Sequence, residues 1–214
     1  MDRDALFQIV LNIQRSGNVS LEKYFSRINT LQLSGLFFGL KWWQCGWHIM
    51  LLVSQSLTTL ELLQDWPTDL ATTWPFDLSR LPSLRHFKIH VPDYSRDVVM
   101  PRSLNQLLSR SMSSSASIES LEIQVNVRHG RENDLFSSEV GWPEFDEIVT
   151  GENFVCLKKI TFSLDLHMRG MVRDGDSGYQ QKLVGLERKL TALLPMFRAS
   201  SSQRTLETCL VVGF

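Results

Sequence analysis

Apolar and polar residues alternate through Leu84-Arg85-His86-Phe87-Lys88-Ile89-His90-Val91. Phe87, Ile89 and Val91 fall on one side, His86, Lys88 and His90 on the other. A period of two puts one set on each face of a β-strand. Leu84 stands three positions before the first of these and marks where the chain leads into the strand. The same spelling recurs as Ile28-x-x-Leu31-x-Leu33, Leu57-x-x-Leu60-x-Leu62, Ile118-x-x-Leu121-x-Ile123-x-Val125 and Leu157-x-x-Ile160-x-Phe162-x-Leu164. Leu206-x-x-Cys209-x-Val211 is the weakest copy. Strands are predicted at 29–34, 58–63, 85–91, 119–126 and 158–166, with a last strand closing the chain at Phe214.

With the second apolar position of each copy as a register mark, the marks are 31, 60, 87, 121, 160 and 209, at intervals of 29, 27, 34, 39 and 49 residues. Leucine-rich repeats read L-x-x-L-x-L-x-x-N/C-x-L, with a period of about 20–29 residues. The first two intervals fit, the later ones overshoot, and the asparagine after the strand is missing. The predicted fold is therefore α/β: an irregular leucine-rich-repeat-like solenoid with a mainly parallel sheet and helices and loops on the return side. An ordinary α/β domain with leucine-rich strands is the alternative. In the solenoid, Leu31, Leu60, Phe87, Leu121 and Ile160 form a buried ladder, with Leu33, Leu62, Ile89, Ile123 and Phe162 beside it.

Helical spacing fills the connections. Leu36–Val53 is densely apolar, but Lys41, Gln44 and His48 fall inside it and Gly39 and Gly46 interrupt it. A membrane span needs about 20 mostly apolar residues with few charges, so this run is read as a helix packed on the sheet. Leu104, Leu107 and Leu108 share a face of a short helix at 104–111. A second starts near Pro143 and covers 145–150. A third is read at 181–197 from Leu183, Leu186, Leu190, Leu193 and Leu194. Asp4 is read as the cap of a short helix that stops at Ser16-Gly17-Asn18. The stretches 112–117, 128–143 and 169–179 are read as loops, and Trp66-Pro67 and Trp74-Pro75 punctuate the second connection.

Composition leaves this picture in place. The 214 residues are 43% hydrophobic and 21% charged, enough for one sizeable core. The whole chain, 1–214, is expected to be one repeat domain, the C-terminal part of a longer architecture. Lys and Arg number 22 against 23 Asp and Glu, for a net charge of −1. That balance supplies no general field for nucleic acid or an acidic membrane. Cys45, Cys156 and Cys209 are too few and too scattered for a disulfide framework. Asp2 and Asp4 make a poor signal-peptide start, with no small-residue cleavage site after them, and a cytoplasmic or nuclear location is expected.

Candidate chemistry is sparse. Cys45-Gly46-Trp47-His48 is a C-x-x-H without the second pair that a structural zinc site needs. His86 and His90 share a strand face but stand four residues apart, too far for easy chelation. No nucleophile elbow, phosphate loop or zincin motif is present. Glu144, Asp146 and Glu147 look like acids of a helix N-terminus. Arg128, His129 and Arg131 make only a small basic patch. No catalytic residue, cofactor, metal or small-molecule substrate is predicted.

The sheet surface remains. Stacking in register lines up Thr30, Thr59, His86, Ser120 and Lys159, then Gln32, Glu61, Lys88, Glu122 and Thr161, then Ser34, Leu63, His90, Gln124 and Ser163. Glu61, Lys88, His90, Glu122 and Gln124 are the candidate protein-binding residues. The alternative is that any exposed sheet face is polar.

Gln14-Arg15-Ser16-Gly17-Asn18, followed by Arg27-Ile28-Asn29-Thr30-Leu31-Gln32-Leu33, resembles the region after the F-box in the mushroom-type fungal F-box proteins. Leu81-Pro82-Ser83-Leu84-Arg85 and Ser117-Ile118-Glu119-Ser120-Leu121-Glu122-Ile123 are similar to the repeats of that set. No F-box helix bundle precedes Asp4. The resemblance implies that this chain keeps the substrate-holding half of a cullin-type ubiquitin-ligase receptor: a non-enzymatic, protein-binding scaffold. An enzyme with a hidden site, which would gather Glu144, Asp146 or His129 in a cleft, and a truncated product without activity are the alternatives.

Overall fold

The computed structural model of the chain describes residues 25, 27–34, 40–63, 77–91, 100–110, 117–128, 136, 141–167, 177–200 and 203–213. Among them six strands form one sheet: β1 (Thr30–Ser34), β2 (Thr59–Leu63), β3 (His86–Val91), β4 (Ser120–Arg128), β5 (Lys159–His167) and β6 (Thr205–Gly213). Every neighbouring pair is parallel and the spatial order follows the sequence. Parallel neighbours require crossover connections, and helices occupy most of them. α1 (Leu40–Leu52) joins β1 to β2, α2 (Met100–Arg110) joins β3 to β4, and α3 (Trp142–Thr150) joins β4 to β5. α4 (Ser177–Thr191) and α5 (Pro195–Ser200) lie between β5 and β6. The β2–β3 connection carries a short 3-10 turn at Leu78–Arg80, capped by Asp77 through the Ser79 amide at 3.0 Å. The architecture is α/β.

The register originates where each strand begins. Thr58 and Thr59 both donate their amides to Asn29 O, Arg85 and His86 to Thr58 O, Glu119 and Ser120 to Arg85 O, and Lys158 and Lys159 to Glu119 O, all at 2.8–3.1 Å. A serine hydroxyl reinforces some of these bends. Ser56 Oγ donates to Ile28 O at 2.7 Å and Ser117 Oγ to Leu84 O at 2.9 Å. The apolar residues that lead into the strands, Leu57, Leu84, Ile118 and Leu157, are buried beneath the bends. Leu31, Leu60, Phe87, Leu121 and Ile160 consequently pair across five strands.

The inward side chains of β2 to β5 merge with the helices into one buried cluster. α2 packs on α3, and α3 on α5. Trp142 meets Phe145 and Phe162 edge-on, with ring centroids 5.8 and 5.2 Å away. Gly46 lets α1 come close to β1, since a Cβ there would lie 3.2 Å from Leu33 Cδ1. Gly141, at φ 96°, turns the chain into α3 through the left-handed region. No described helix is long and apolar enough to cross a membrane.

The structure departs from the sequence expectation in several places. Leu31 and Leu33 are only half-buried; among the described residues β1 is an outer strand, with a strand on one side only. The sixth copy is out of register: Leu206, not Cys209, pairs with Ile160, and Cys209 pairs with Ser163. The mark moves by three residues, an odd number, so the faces exchange. Leu206 and Leu210 turn inward and Cys209 and Val211 are exposed. α2 starts at Met100, with Pro101 in its first turn, where a missing amide does no harm. The long helix expected at 181–197 is two helices, because Pro195 cannot continue α4 and instead opens α5. Asp146 is not a solvated helix acid. It is buried, and its carboxylate accepts the Met196 amide at 2.8 Å and the Phe197 amide at 2.9 Å, fastening α5 to α3. Glu144 accepts from Asn105 Nδ2 at 3.0 Å. The helix expected after Asp4, the Trp66-Pro67 and Trp74-Pro75 connection, residues 112–116 and 168–176, and the side chains of Cys45, Arg128, His129 and Arg131 lie outside the described residues.

Two stability measurements check this packing. Phe87→Ala should lose about 3–5 kcal/mol in chemical unfolding, from lost transfer energy and the cavity left behind; a loss below about 1 kcal/mol is incompatible with the burial seen. Asp146→Ala should lose roughly 2–3 kcal/mol, because charge-assisted hydrogen bonds to two amides disappear. A truncation of exposed Glu147, one helix position away, should stay within about 0.5 kcal/mol of the parent.

Candidate protein-binding surface

The face of the sheet opposite the core carries the other half of each strand's residues. Side-chain alternation together with the register stacks them in rows. The first is Thr30, Thr59, His86, Ser120, Lys159 and Thr205, and the second Gln32, Glu61, Lys88, Glu122, Thr161 and Glu207. The third is Ser34, Leu63, His90, Gln124, Ser163 and Cys209. Glu61, Lys88, His90, Glu122 and Gln124 therefore lie in adjacent rows of one face, as the strand spelling predicts.

Lys88 is the centre of this face. Its Nζ lies 3.0 Å from Glu122 Oε1 and 3.4 Å from Glu61 Oε1, one carboxylate from each flanking strand. The hydrogen bond to Glu122 raises the Lys88 pKa above its ordinary 10.5; burial opposes the rise, and the charges of Glu122 and Glu61 add to it. The side chain is still 31% exposed, so the ammonium is shared between its partners and solvent.

The histidines on either side of Lys88 turn to different neighbours. His86 Nδ1 lies 2.8 Å from Ser120 Oγ, directly across the strands, and His90 Nε2 lies 3.3 Å from Asn126 Oδ1, one step up β4. They do not converge on a common point. No described group of three or more His, Cys, Asp or Glu side chains is placed to hold a metal ion. Gln124 is half-buried in the third row, with no side-chain partner among the described residues.

Two charged features escape the sequence reading. Lys159 Nζ reaches Glu207 Oε2 at 2.7 Å, bridging β5 and β6; aligning Leu206 with Ile160 exposes this pair, and the Cys209 alignment hides it. Just below the face, at the strand starts, Glu119 meets Arg85 at 3.5 Å and Lys158 at 3.2 Å. The signal was in the residue that follows the leading apolar position of three consecutive strands: Arg85, Glu119 and Lys158 alternate in sign.

This arrangement can present fixed charge and hydrogen-bonding groups to a flat or gently curved partner. Each ion pair is weak, about 0.2–1 kcal/mol. Glu144 and Asp146 do not lie on this face. Asp146 is spent on two backbone amides and Glu144 on Asn105, both on the helical side.

Comparison of the chain with protein-family models, curated proteins and solved structures gives no match in any of the three.

Because the folded-state pKa of Lys88 is raised, its stabilising contribution is complete below 10.5 and is lost as pH climbs through the raised value. The difference in melting temperature between the parent and Lys88→Gln should be small and positive near neutrality. It should shrink as pH rises above 10.5, and also in about 1 M salt. A difference that grows with pH contradicts the assignment.

Proposed function

We propose that the chain is a non-enzymatic protein-binding scaffold that engages its partner through the outward face of the sheet, centred on Glu61, Lys88, His90, Glu122 and Gln124. In this reading the six strands are the successive turns of an irregular leucine-rich-repeat-like solenoid. The chain supplies the substrate-holding part of an F-box-type ubiquitin-ligase receptor and acts in the cytoplasm or nucleus, without cofactor or small-molecule substrate. The observation that carries the proposal is Lys88 held between Glu61 and Glu122 at 3.4 and 3.0 Å. A cation flanked by two anions on a rigid parallel sheet is a charge pattern set by backbone pairing, and a partner can meet it without reordering it. In repeat proteins of this kind the extended sheet surface is the usual binding face. The short L-x-x-L-x-L repeats and the Arg27–Leu33 segment support the receptor assignment by resemblance.

The test is capture from an extract of a mushroom-forming fungus by immobilised parent chain and by Lys88→Glu, with bound proteins compared quantitatively. Charge reversal should leave the circular dichroism unchanged. The melting temperature should fall by no more than the few degrees that a loss of about 1 kcal/mol produces. Capture of the specific partner should drop at least tenfold, a change of about 1.4 kcal/mol. A folded Lys88→Glu variant that retains every partner equally well would falsify the binding face.

A further inference from the structure

The outer strands of the sheet each have one edge without a strand partner among the described residues, and the two edges differ. β1 is five residues long and β6 is nine. An open edge is a template for another strand, and proteins normally guard it with lysine, proline, a bulge or a covering element. β6 reads Thr205-Leu206-Glu207-Thr208-Cys209-Leu210-Val211-Val212-Gly213, without lysine or proline. It pairs with β5 at all nine positions without a bulge. Its single charge, Glu207, is held by Lys159 of the neighbouring strand.

The direction of the backbone groups follows from one bond. The Thr205 amide donates to Lys158 O at 2.7 Å, towards β5. Alternation along a strand then turns the N–H and C=O groups of Glu207, Cys209, Val211 and Gly213 the same way, and those of Leu206, Thr208, Leu210 and Val212 to the open edge. Leu206 and Leu210 are half-buried, where the equivalent residues of β4 and β5 are fully buried. On the outward face Cys209 is exposed and Val211 is 46% exposed.

We propose that this edge pairs with β6 of a second copy of the chain, antiparallel, about a two-fold axis through Cys209. A two-fold perpendicular to the sheet keeps outward residues outward, so the axis must pass through a residue. Only an axis at Cys209 overlaps the whole strand. In that register Leu206 pairs with Val212 of the second copy and Thr208 with Leu210, and each pair exchanges both of its hydrogen bonds. Thr205 then faces Gly213, Glu207 faces Val211, and Cys209 faces its own copy. No like charges meet. An axis at Glu207 would oppose two carboxylates across a shorter overlap. The contact is isologous and closes as a dimer. A strand-to-strand contact of this size falls at or below the small end of specific interfaces, so association in the micromolar range is expected.

The same parity makes Cys209 a reporter. It falls in a non-hydrogen-bonded pair, where Cα atoms approach to about 4.5 Å, within the span of about 4.4–6.8 Å that a disulfide tolerates.

Sedimentation equilibrium of the reduced full chain between about 1 and 200 μM should show reversible dimerisation. Cys209→Ser should preserve it. Thr208→Pro removes an amide that points away from β5, leaves the β5 ladder whole, and should weaken association by at least about tenfold. Cys209→Lys, which sets two cations against each other at the axis, should do the same and decides the matter if Thr208→Pro fails to fold. Oxidation with copper-phenanthroline in air should give a dimer whose cross-linked peptide joins Cys209 to Cys209, retained in Cys156→Ser and lost in Cys209→Ser. The proposal is overturned by a chain that stays monomeric throughout, as expected if the edge takes an extended segment of a different protein. It is equally overturned by a dimer that survives a folded Thr208→Pro or Cys209→Lys, or by a cross-link that runs through Cys156.

Discussion

At the start of each strand from β2 to β5, two successive amides reach back to a single carbonyl of the strand before. That bend decides which residue of one copy stands beside which residue of the next. With the bend in place, the period of two along a strand assigns every later side chain to the core or to the outward face. The leading apolar residue locks the bend from beneath, since Leu57, Leu84, Ile118 and Leu157 are buried there. A slip by one residue would move Phe87 into solvent and Lys88 into the core, so burial and hydrogen bonding select the same register.

The outward face depends on this arrangement and adds little to its stability. Lys88, Glu61 and Glu122 meet because Phe87 pairs with Leu60 and Leu121 one position earlier. Ion pairs that exposed contribute tenths of a kcal/mol to about 1 kcal/mol, whereas a buried phenylalanine is worth several. The core holds the charges in position, and the charges are free to differ without loss of fold.

How much of this is legible in the sequence depends on distance along the chain. Alternation within Leu84–Val91 is local, and so the strands, their order and the Glu61–Lys88–Glu122 row follow from spelling alone. The sixth copy is ambiguous because Leu206, Cys209, Leu210 and Val211 offer apolar residues at both parities. Only pairing with β5 selects Leu206. Asp146 resembles a surface acid of a helix start, and nothing nearby shows that its carboxylate meets amides 50 and 51 residues later. The break before Pro195 is readable from the proline itself, but the run of leucines at helical spacing masks it. Gly46 looks like an interruption of a helix until Leu33 is found against it.

Because register is set where strands begin, the chain length spent between strands is free to vary. With Leu206 as the last mark, the marks 31, 60, 87, 121, 160 and 206 lie 29, 27, 34, 39 and 46 residues apart, yet the rows remain aligned. Closing the longest of these connections instead of the shortest adds only about 0.5 kcal/mol of chain entropy. Evolution can therefore lengthen a return segment, and an engineer can graft a peptide or a whole folded module into one, without rewriting the surface that the strands display. The protein is modular crosswise, each connection an independent site of innovation, although lengthwise its strands stand or fall with their neighbours.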